Sequence, residues 1–173
     1  RAFQANVMQN LLNDGSFDRG LIVAEGFDYE IVQKMNRPQD EYSILVTLKA
    51  DGNVAKTLVG SVAESCILDS ERPEEFERLK EIFRKDSLQM VSFTITEKGY
   101  SLVNGKGDPL PGVEDDFING PTKAMSYMGK VAALVYARYE AGRKSIAMVS
   151  MDNCSHNGDK LFAAISTFAE KWA

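Results

Sequence analysis

Cysteine and histidine are scarce in this chain, which holds two cysteines, Cys66 and Cys154, and one histidine, His156. Two cysteines supply neither the framework of a disulfide-rich fold nor the CxxC pairs of a zinc site. Two free thiols suit a reducing compartment, so we expect a cytoplasmic protein. Asp152, Cys154 and His156 have a spacing that metal ligands can adopt. However, no further histidine or cysteine completes a nitrogen and sulfur site, and we expect no bound metal.

Long apolar runs and clusters of basic residues are also missing from the sequence. No segment approaches the roughly 18 apolar residues of a membrane span, so we expect no membrane partner. The net charge is −5 and the 20 lysines and arginines are scattered, whereas a nucleic-acid surface concentrates its positive charge. We therefore expect no nucleic-acid partner. The 44% of apolar residues is ordinary for a globular chain with its own core.

A phosphate loop of the form GxGxxG is absent as well. Gly105-Lys106-Gly107 has the wrong spacing, and it lies in a turn-rich stretch and not between a strand and a helix. The first predicted element is a helix over 3–12, whereas a doubly wound α/β domain normally opens with a strand. We therefore expect that the first strand and the phosphate loop of the domain are missing from the chain.

The hydrophobic pattern predicts alternating helices and strands. Apolar positions at helical spacing predict helices over 3–12, 29–35, 74–84, 121–140 and 160–172. Short apolar or β-rich runs predict strands over 21–24, 42–48, 54–68, 88–95 and 145–150, with a hairpin turn at 50–53. This order predicts an α/β, Rossmann-like fold, which is a mostly parallel, doubly wound sheet with an inserted β-hairpin. We expect residues 1–173 to form one partial domain of this kind.

Two of the predicted strands end in polar segments, at the edge where open α/β sheets bind their ligands. Thr96-Glu97-Lys98 follows the strand 88–95, and composition alone favours a solvated strand end with a glycine turn. Asp152-Asn153 follows the last strand, and the amide of Asn153 can donate to a developing alkoxide. His156 can act as a general base near neutral pH, although a lone histidine before a helix is more often structural.

Two further carboxylates, Glu25 and Asp28, follow the strand 21–24. A carboxylate at this place commonly binds the adenosine ribose of NAD and repels the additional phosphate of NADP. The alternative is an acidic loop that is merely solvated. The sequence therefore offers Asp28 as a candidate contact for a dinucleotide.

Several segments of the chain match the sequence patterns of one known family. Arg1-Ala2-Phe3 matches the end of a GxGNFxRA phosphate loop, Gly60-Ser61-Val62 matches IGS, and residues 94–100 match TITEKGY in full. Residues 138–142 resemble RRxAG, and residues 150–158 match SCDNxxxNG with Met151 in place of the usual cysteine. In their order and spacing, these segments resemble the long-chain mannitol dehydrogenase family over essentially the whole chain.

This resemblance implies an NAD-dependent oxidoreductase that acts on a secondary alcohol of a sugar alcohol or an aldonate. Within the family we favour fructuronate reductase activity, with mannitol 2-dehydrogenase activity as the alternative. An alternative of another class is a regulatory module that binds NAD without turnover. The expected ligands are NAD and a small sugar alcohol or sugar acid.

The resemblance also implies roles for the residues at matching positions. Asn153 helps to form an oxyanion hole for the substrate oxygen, and Glu97 assists proton movement between the catalytic base and solvent. The expected cofactor contacts are Arg1, Ala2, Phe3, Asp28, Thr96, Lys98 and Asp152. The family's catalytic lysine, in a KxxxxNxxH pattern, is expected in a helical C-terminal domain outside this chain. That domain is therefore an expected partner of the cofactor domain.

Overall fold

The computed structural model describes residues 2–36 and 40–173, and it describes their side chains from Gln4 onward. The chain divides into two compact units, residues 1–67 and residues 68–173. Each unit contains a pair of parallel strands and helices of its own.

The first unit is built from two helices and four strands in its described residues. In chain order they are α1 (Ala2–Asn13), β1 (Leu21–Glu25), α2 (Tyr29–Asn36), β2 (Ser43–Leu48), β3 (Val54–Val59) and β4 (Val62–Ile67). β1 pairs with β4 in parallel, and β2 pairs with β3 as an antiparallel hairpin. Apolar side chains from α1, α2 and both strand pairs form the core of this unit, with Ala5, Val59 and Val62 buried at its centre.

The strand predicted over 54–68 is in fact two strands that belong to different sheets. The chain leaves the hairpin at Gly60 and Ser61, and β4 then runs beside β1. Ser61 is fully buried, and its hydroxyl donates to the carbonyl of Ala5 at 2.6 Å. The carbonyl of Ser61 accepts the N–H of Leu21 at 2.7 Å, which starts the parallel pairing. These contacts turn the chain from the hairpin into the parallel pair.

The second unit contains four helices and two strands in the part that the structure describes. They are α3 (Pro73–Arg84), β5 (Met90–Phe93), α4 (Val113–Asn119), α5 (Tyr127–Glu140), β6 (Ala147–Ser150) and α6 (Asn157–Lys171). Two 3₁₀ turns, Glu97–Tyr100 and Pro121–Lys123, connect these elements. β5 and β6 pair in parallel, with Met90 opposite Ala147 and Phe93 opposite Ser150.

The long helix predicted over 121–140 begins later than its sequence pattern indicates. The buried carboxylate of Asp116, on the unpredicted helix α4, accepts the N–H of Met125 at 2.6 Å and the N–H of Ser126 at 2.8 Å. The hydroxyl of Ser126 donates to the same carboxylate at 2.5 Å and caps the first turn of α5. These bonds hold Met125 and Ser126 in a non-helical conformation between the 3₁₀ turn and α5, so that the helix starts at Tyr127.

Close packing at the start of α5 accompanies this network. A Cβ atom placed on Gly129 would lie 2.2 Å from Oδ2 of Asp116 and 2.8 Å from the hydroxyl oxygen of Ser126. Both distances are far below van der Waals contact. The glycine therefore leaves room for the buried carboxylate at the helix start.

A buried arginine connects the segments that precede the two strands of the second unit. Arg138 is 3% exposed and lies near the end of α5. Its guanidinium donates to five backbone carbonyls, those of Phe83 (2.7 Å), Lys85 (2.9 Å), Leu88 (2.9 Å), Lys144 (3.0 Å) and Ser145 (2.8 Å). The carbonyl of Phe83 is in the last turn of α3, and the other four belong to the segments that precede β5 and β6. Arg138 therefore sets the relative position of the two strands where they begin.

The structure confirms an α/β fold with parallel strand pairs and an inserted β-hairpin. The predicted helices over 74–84 and 160–172 correspond to α3 and α6, and the predicted strands over 88–95 and 145–150 contain β5 and β6. Among residues 2–36 and 40–173, no helix combines the length and the apolar content that a membrane crossing needs.

Candidate functional site

The parallel pair β5–β6 brings two polar segments together at its carboxyl end. Phe93 and Ser150 are register partners, and the N–H of Met151 donates to the carbonyl of Phe93 at 2.8 Å. The strands therefore stay paired to their last residues and leave the sheet at the same edge. We call the turn Glu97–Tyr100, the loop 151–156 and the start of α6 the strand-end site.

The first of these segments is a compact 3₁₀ turn. The N–H of Gly99 donates to the carbonyl of Thr96 at 2.8 Å, and the N–H of Ser101 donates to the carbonyl of Lys98 at 3.2 Å. A Cβ atom on Gly99 would lie 2.9 Å from Cδ1 of Ile95, so the turn folds tightly onto the end of its own strand segment. The side chains of Thr96, which precedes the turn, and of Lys98, within it, are exposed.

The last residue of this turn is tied to the loop after β6. Tyr100 is 3% exposed, and its hydroxyl donates to the carboxylate of Asp152. Burial, together with this bond to a carboxylate, raises the pKa of Tyr100 to about 12. Hydrogen bonds from Cys154 and from Tyr100 hold the pKa of Asp152 well below its usual range. Asp152 is therefore a carboxylate, and Tyr100 a neutral phenol, across the physiological pH range.

Replacing Tyr100 with phenylalanine is expected to reduce the loss of stability at alkaline pH. The pKa of Tyr100 is raised from 10.0 to about 12, so its stabilising effect is complete below pH 10 and is lost as the pH rises through 12. The free energy of unfolding of the wild type should fall by roughly 1.4 kcal/mol more per pH unit in this window than that of Tyr100→Phe. Urea unfolding of both proteins at several pH values measures the difference. The exposed Tyr139 provides the control, because Tyr139→Phe should retain the wild-type slope.

Asn157 closes the loop that follows β6. Its side-chain N–H donates to the carbonyl of Asp152 at 2.8 Å and to Oδ1 of Asp152 at 3.4 Å. The N–H of Cys154 donates to the same Oδ1 at 3.0 Å, and the hydroxyl of Ser150 donates to the carbonyl of Asn157 at 3.3 Å. The backbone on both sides of Asn153 is therefore fixed by hydrogen bonds to Asp152.

The side chain of Asn153 itself is exposed, and it forms no hydrogen bond with any residue that the structure describes. Its amide N–H groups are consequently available to an external oxygen atom. A fixed backbone with an unused donor is the arrangement that stabilises negative charge developing on a bound substrate. The predicted role of Asn153 as an oxyanion donor stays a prediction that this geometry allows.

Glu97 lies on the exposed side of the same turn and forms an ion pair with Lys160. Lys160 is in the first turn of α6, and the bond to Glu97 raises the pKa of Lys160. An open groove of about 270 Å³ lies beside this pair, with Tyr100 and Leu102 on its wall. The structure therefore places Glu97, Asp152 and their partners at one edge of the second unit, while Thr96, just before the turn, and Lys98, within it, are exposed.

His156 does not occupy the environment of a general base. Its side chain is 81% exposed, and its Nδ1 lies 3.2 Å from Oδ2 of the equally exposed Asp159. The residue has a left-handed backbone conformation, with φ of 55°, immediately before α6. This geometry favours the structural interpretation of His156. Within the described residues, no three His, Cys, Asp or Glu side chains converge on a common point.

The first unit presents a carboxylate of its own just after β1. Oε1 of Glu25 accepts the N–H of Phe27 at 3.3 Å, so Glu25 folds back onto its own turn. Asp28 is exposed, and its carboxylate accepts no hydrogen bond from the described part of the chain. Asp28 is thus the better of the two candidates for a ribose contact. The remaining predicted contacts, which are Arg1 and the side chains of Ala2 and Phe3, lie outside the described residues.

Three side chains of the strand-end site, Tyr100, Asn157 and Lys160, were not predicted as site residues. Tyr100 and Asn157 lie within the two segments that match the family patterns, but the sequence assigns neither of them a role. A buried tyrosine next to a polar segment requires a hydrogen-bond partner for its hydroxyl. This requirement was the feature of the sequence that could have indicated Tyr100. No signal in the sequence connects Lys160 with Glu97.

Comparison with known proteins identifies longer relatives of this chain. No protein-family model matches the chain. It is 48% identical over 172 residues to D-mannonate oxidoreductase of Thermotoga maritima, and the match covers 99% of this chain and 32% of the relative. The resemblance to the long-chain mannitol dehydrogenase family is confirmed.

The solved structures of a mannitol 2-dehydrogenase and of a D-sorbitol dehydrogenase share the fold of this chain. A ternary complex of Pseudomonas fluorescens mannitol 2-dehydrogenase with NAD and D-mannitol superposes with a TM-score of 0.80 at 24% identity, covering 97% of this chain and 34% of that enzyme. A substrate-free D-sorbitol dehydrogenase gives a TM-score of 0.75 at 23% identity, covering 95% and 34% of the two chains. The chain therefore spans about a third of the length of these proteins.

Proposed function

We propose that this chain is the cofactor domain of an NAD-dependent oxidoreductase that acts on a secondary alcohol of a sugar acid, with D-mannonate as its substrate. The observation that carries the proposal is the unused amide of Asn153, which is held on a fixed loop at the strand-end site. The relative of 48% identity is a D-mannonate oxidoreductase, and this favours mannonate over mannitol. Because the relative and the structural neighbour are oxidoreductases, a regulatory module without turnover is the less favoured alternative.

The residues present fit a dinucleotide in their donor and acceptor chemistry. The exposed carboxylate of Asp28 suits the two hydroxyls of an adenosine ribose. The hydroxyl of Thr96 and the ammonium of Lys98 are exposed and are available to polar groups of a ligand. We also keep Arg1, Ala2 and Phe3 as proposed contacts at the pyrophosphate. When bound, NAD accepts or returns the hydride of the reaction.

Asn153 and Glu97 have different proposed tasks in this reaction. Asn153 donates an N–H to the substrate oxygen and stabilises the charge that develops there. Glu97, exposed beside Lys160, takes part in moving the proton between the base and solvent. We place the base itself, a lysine, in a helical C-terminal domain outside this chain. We also propose a cytosolic location, because Cys66 and Cys154 are both free thiols.

The test of the proposed function is a dehydrogenase assay of the full-length protein with mannonate, altronate and mannitol. We expect NAD-dependent oxidation of mannonate with a kcat/KM well above that of the other two substrates. Preferred turnover of mannitol would instead assign the mannitol 2-dehydrogenase activity. Binding of NAD without turnover of any of the three substrates would support the regulatory module.

Replacing Asp28 with alanine is expected to weaken NAD binding by about tenfold or more, because the hydrogen bonds to the ribose hydroxyls are lost. The same change should improve the use of NADP, since the negative charge that repels its phosphate is removed. The ratio of kcat/KM values for NAD and NADP measures both effects. Asp18, an exposed acid before β1, provides the control in the Asp18→Ala variant. An unchanged cofactor preference in Asp28→Ala would exclude Asp28 from the cofactor site.

A further inference from the structure

We propose that Tyr100, Asp152 and Asn157 form a clamp that positions Asn153, and that Asp152 acts through this clamp and not as a contact of the cofactor. The clamp is defined by these three side chains and by the N–H of Cys154. The inference rests on the proposed function of Asn153. It reassigns Asp152, which the sequence resemblance offers as a cofactor contact.

The carboxylate of Asp152 is already engaged by donors from this chain. One oxygen accepts the hydroxyl of Tyr100, and the other accepts the N–H of Cys154 at 3.0 Å and the amide of Asn157 at 3.4 Å. Hydrogen bonds to a charged acceptor are roughly twice as strong as those between neutral groups. A cofactor hydroxyl would have to compete with three such donors. The contacts therefore favour a positioning role.

Tyr100 is the fixed point of the clamp. Its ring is buried, and it ends the 3₁₀ turn that folds back onto the segment after β5. The bond from its hydroxyl to Asp152 connects that turn with the loop after β6, across 52 positions of the sequence. The two strand ends are thus joined by a side-chain bond in addition to their backbone pairing. Loss of this hydroxyl would release the loop from one side.

The side chain of Asn153 makes no hydrogen bond to the described part of the chain that would fix its amide. On either side of it, the N–H of Cys154 donates a hydrogen bond to Oδ1 of Asp152 at 3.0 Å. The side-chain amide of Asn157 donates to the carbonyl of Asp152 at 2.8 Å. The position of the amide is therefore set by the clamp. A displacement of about 1 Å in a catalytic group can cost on the order of 10²-fold in rate. Release of the clamp should consequently lower turnover and leave cofactor binding intact.

The first experiment is a double-mutant cycle of Tyr100→Phe and Asn153→Ala in the full-length protein. We expect Tyr100→Phe to lower kcat by about tenfold while the KM for NAD stays within about twofold. When it is added to Asn153→Ala, it should cause no further loss, because both variants impair the same donor. Tyr139→Phe, which removes an exposed hydroxyl in the same unit, should behave as the wild type.

The outcomes of this cycle separate the inference from the proposed function. A full-length wild type without dehydrogenase activity would overturn both. A loss of activity in Asn153→Ala with unchanged kcat in Tyr100→Phe would overturn the clamp alone. Additive losses in the double variant, or a rise in the KM for NAD in Tyr100→Phe, would show that Tyr100 and Asp152 act independently of Asn153, which also overturns the clamp.

A second readout does not depend on activity. The thiol of Cys154 is half-buried beside Asp152, and Asp152 raises the pKa of that thiol. Release of the loop should therefore accelerate alkylation of Cys154 by iodoacetamide several-fold in Tyr100→Phe, as followed by peptide mass spectrometry. Cys66, which is 1% exposed, is the internal control for global opening. Equal rates in wild type and variant would overturn the clamp.

Discussion

Replacing Asn153 with alanine is expected to lower the kcat of the full-length protein by about 10²-fold or more, the usual loss for one oxyanion donor. The side chain is exposed and makes no hydrogen bond within residues 2–36 and 40–173, so its removal should leave the fold unchanged. The effect should appear in kcat and in kcat/KM to the same extent, because the bond forms fully only in the transition state. Steady-state kinetics with mannonate and NAD measure it.

Two variants control this experiment. Asn153→Asp keeps the size of the side chain but replaces its donor with a carboxylate, which can only accept, so turnover should be as low as in the alanine variant. Asn119→Ala removes an exposed asparagine at the end of α4 and should be silent. A kcat for Asn153→Ala within about twofold of the wild type would remove Asn153 from the mechanism.

The second large effect concerns stability, and we expect it at Arg138. Replacement by methionine keeps most of the aliphatic volume but removes all the donors to five backbone carbonyls. Hydrogen bonds to charged groups contribute about 1.5–3 kcal/mol each, and a buried group left without a partner costs about 1–3 kcal/mol. Because water can reach some of these carbonyls after the change, we expect the free energy of unfolding to fall by on the order of 3–5 kcal/mol in total.

Urea unfolding of Arg138→Met, compared with the wild type, measures this loss. Arg78→Met is the matched control, because Arg78 lies on the exposed side of α3, where its ion pair with Glu81 spans 2.9 Å. An exposed pair of this kind contributes at most about 1 kcal/mol. A decrease in the free energy of unfolding of less than about 1 kcal/mol for Arg138→Met would show that Arg138 does not fix the segments that precede β5 and β6.

Local pattern was sufficient to predict most of the helices and strands. The helix predicted over 74–84 is Pro73–Arg84, and the short apolar run over 21–24 is part of β1. These elements were accessible because their apolar spacing and their terminal residues agree with their tertiary environment. The predicted start of α5 was wrong. Pro121-Thr122 is a good local signal for a helix start, but the hydrogen bonds to the buried carboxylate of Asp116 determine where α5 begins.

The passage of the chain from one sheet to another between β3 and β4 was also not predictable from the local pattern. Residues rich in β-formers continue from Val54 to Leu68, so the sequence gives no reason to divide the run. The division depends on a hydrogen bond between Ser61 and Ala5, which are 56 positions apart. Contacts at such separations follow from the fold and leave no trace in neighbouring residues.

The edge of the candidate site was predictable, and its internal bonds were not. Parallel strands end at a common edge, so the polar segments after β5 and β6 were expected to meet. The pairs that join them, Tyr100 with Asp152 and Glu97 with Lys160, are separated by 52 and 63 positions. Their existence depends on how the turn and α6 are placed, which a single sequence does not encode in any local pattern.

The tight contact at the start of α5 has an evolutionary consequence. Asp116 in its present position and a side chain larger than hydrogen at position 129 would occupy the same space, so one of them has to move. A lineage that acquires alanine or serine in place of Gly129 would have to displace the carboxylate of Asp116 from its hydrogen bonds or replace Asp116. Substitutions at these two positions are therefore expected to occur together across descendants of a common ancestor, with Gly129 retained wherever the acid persists.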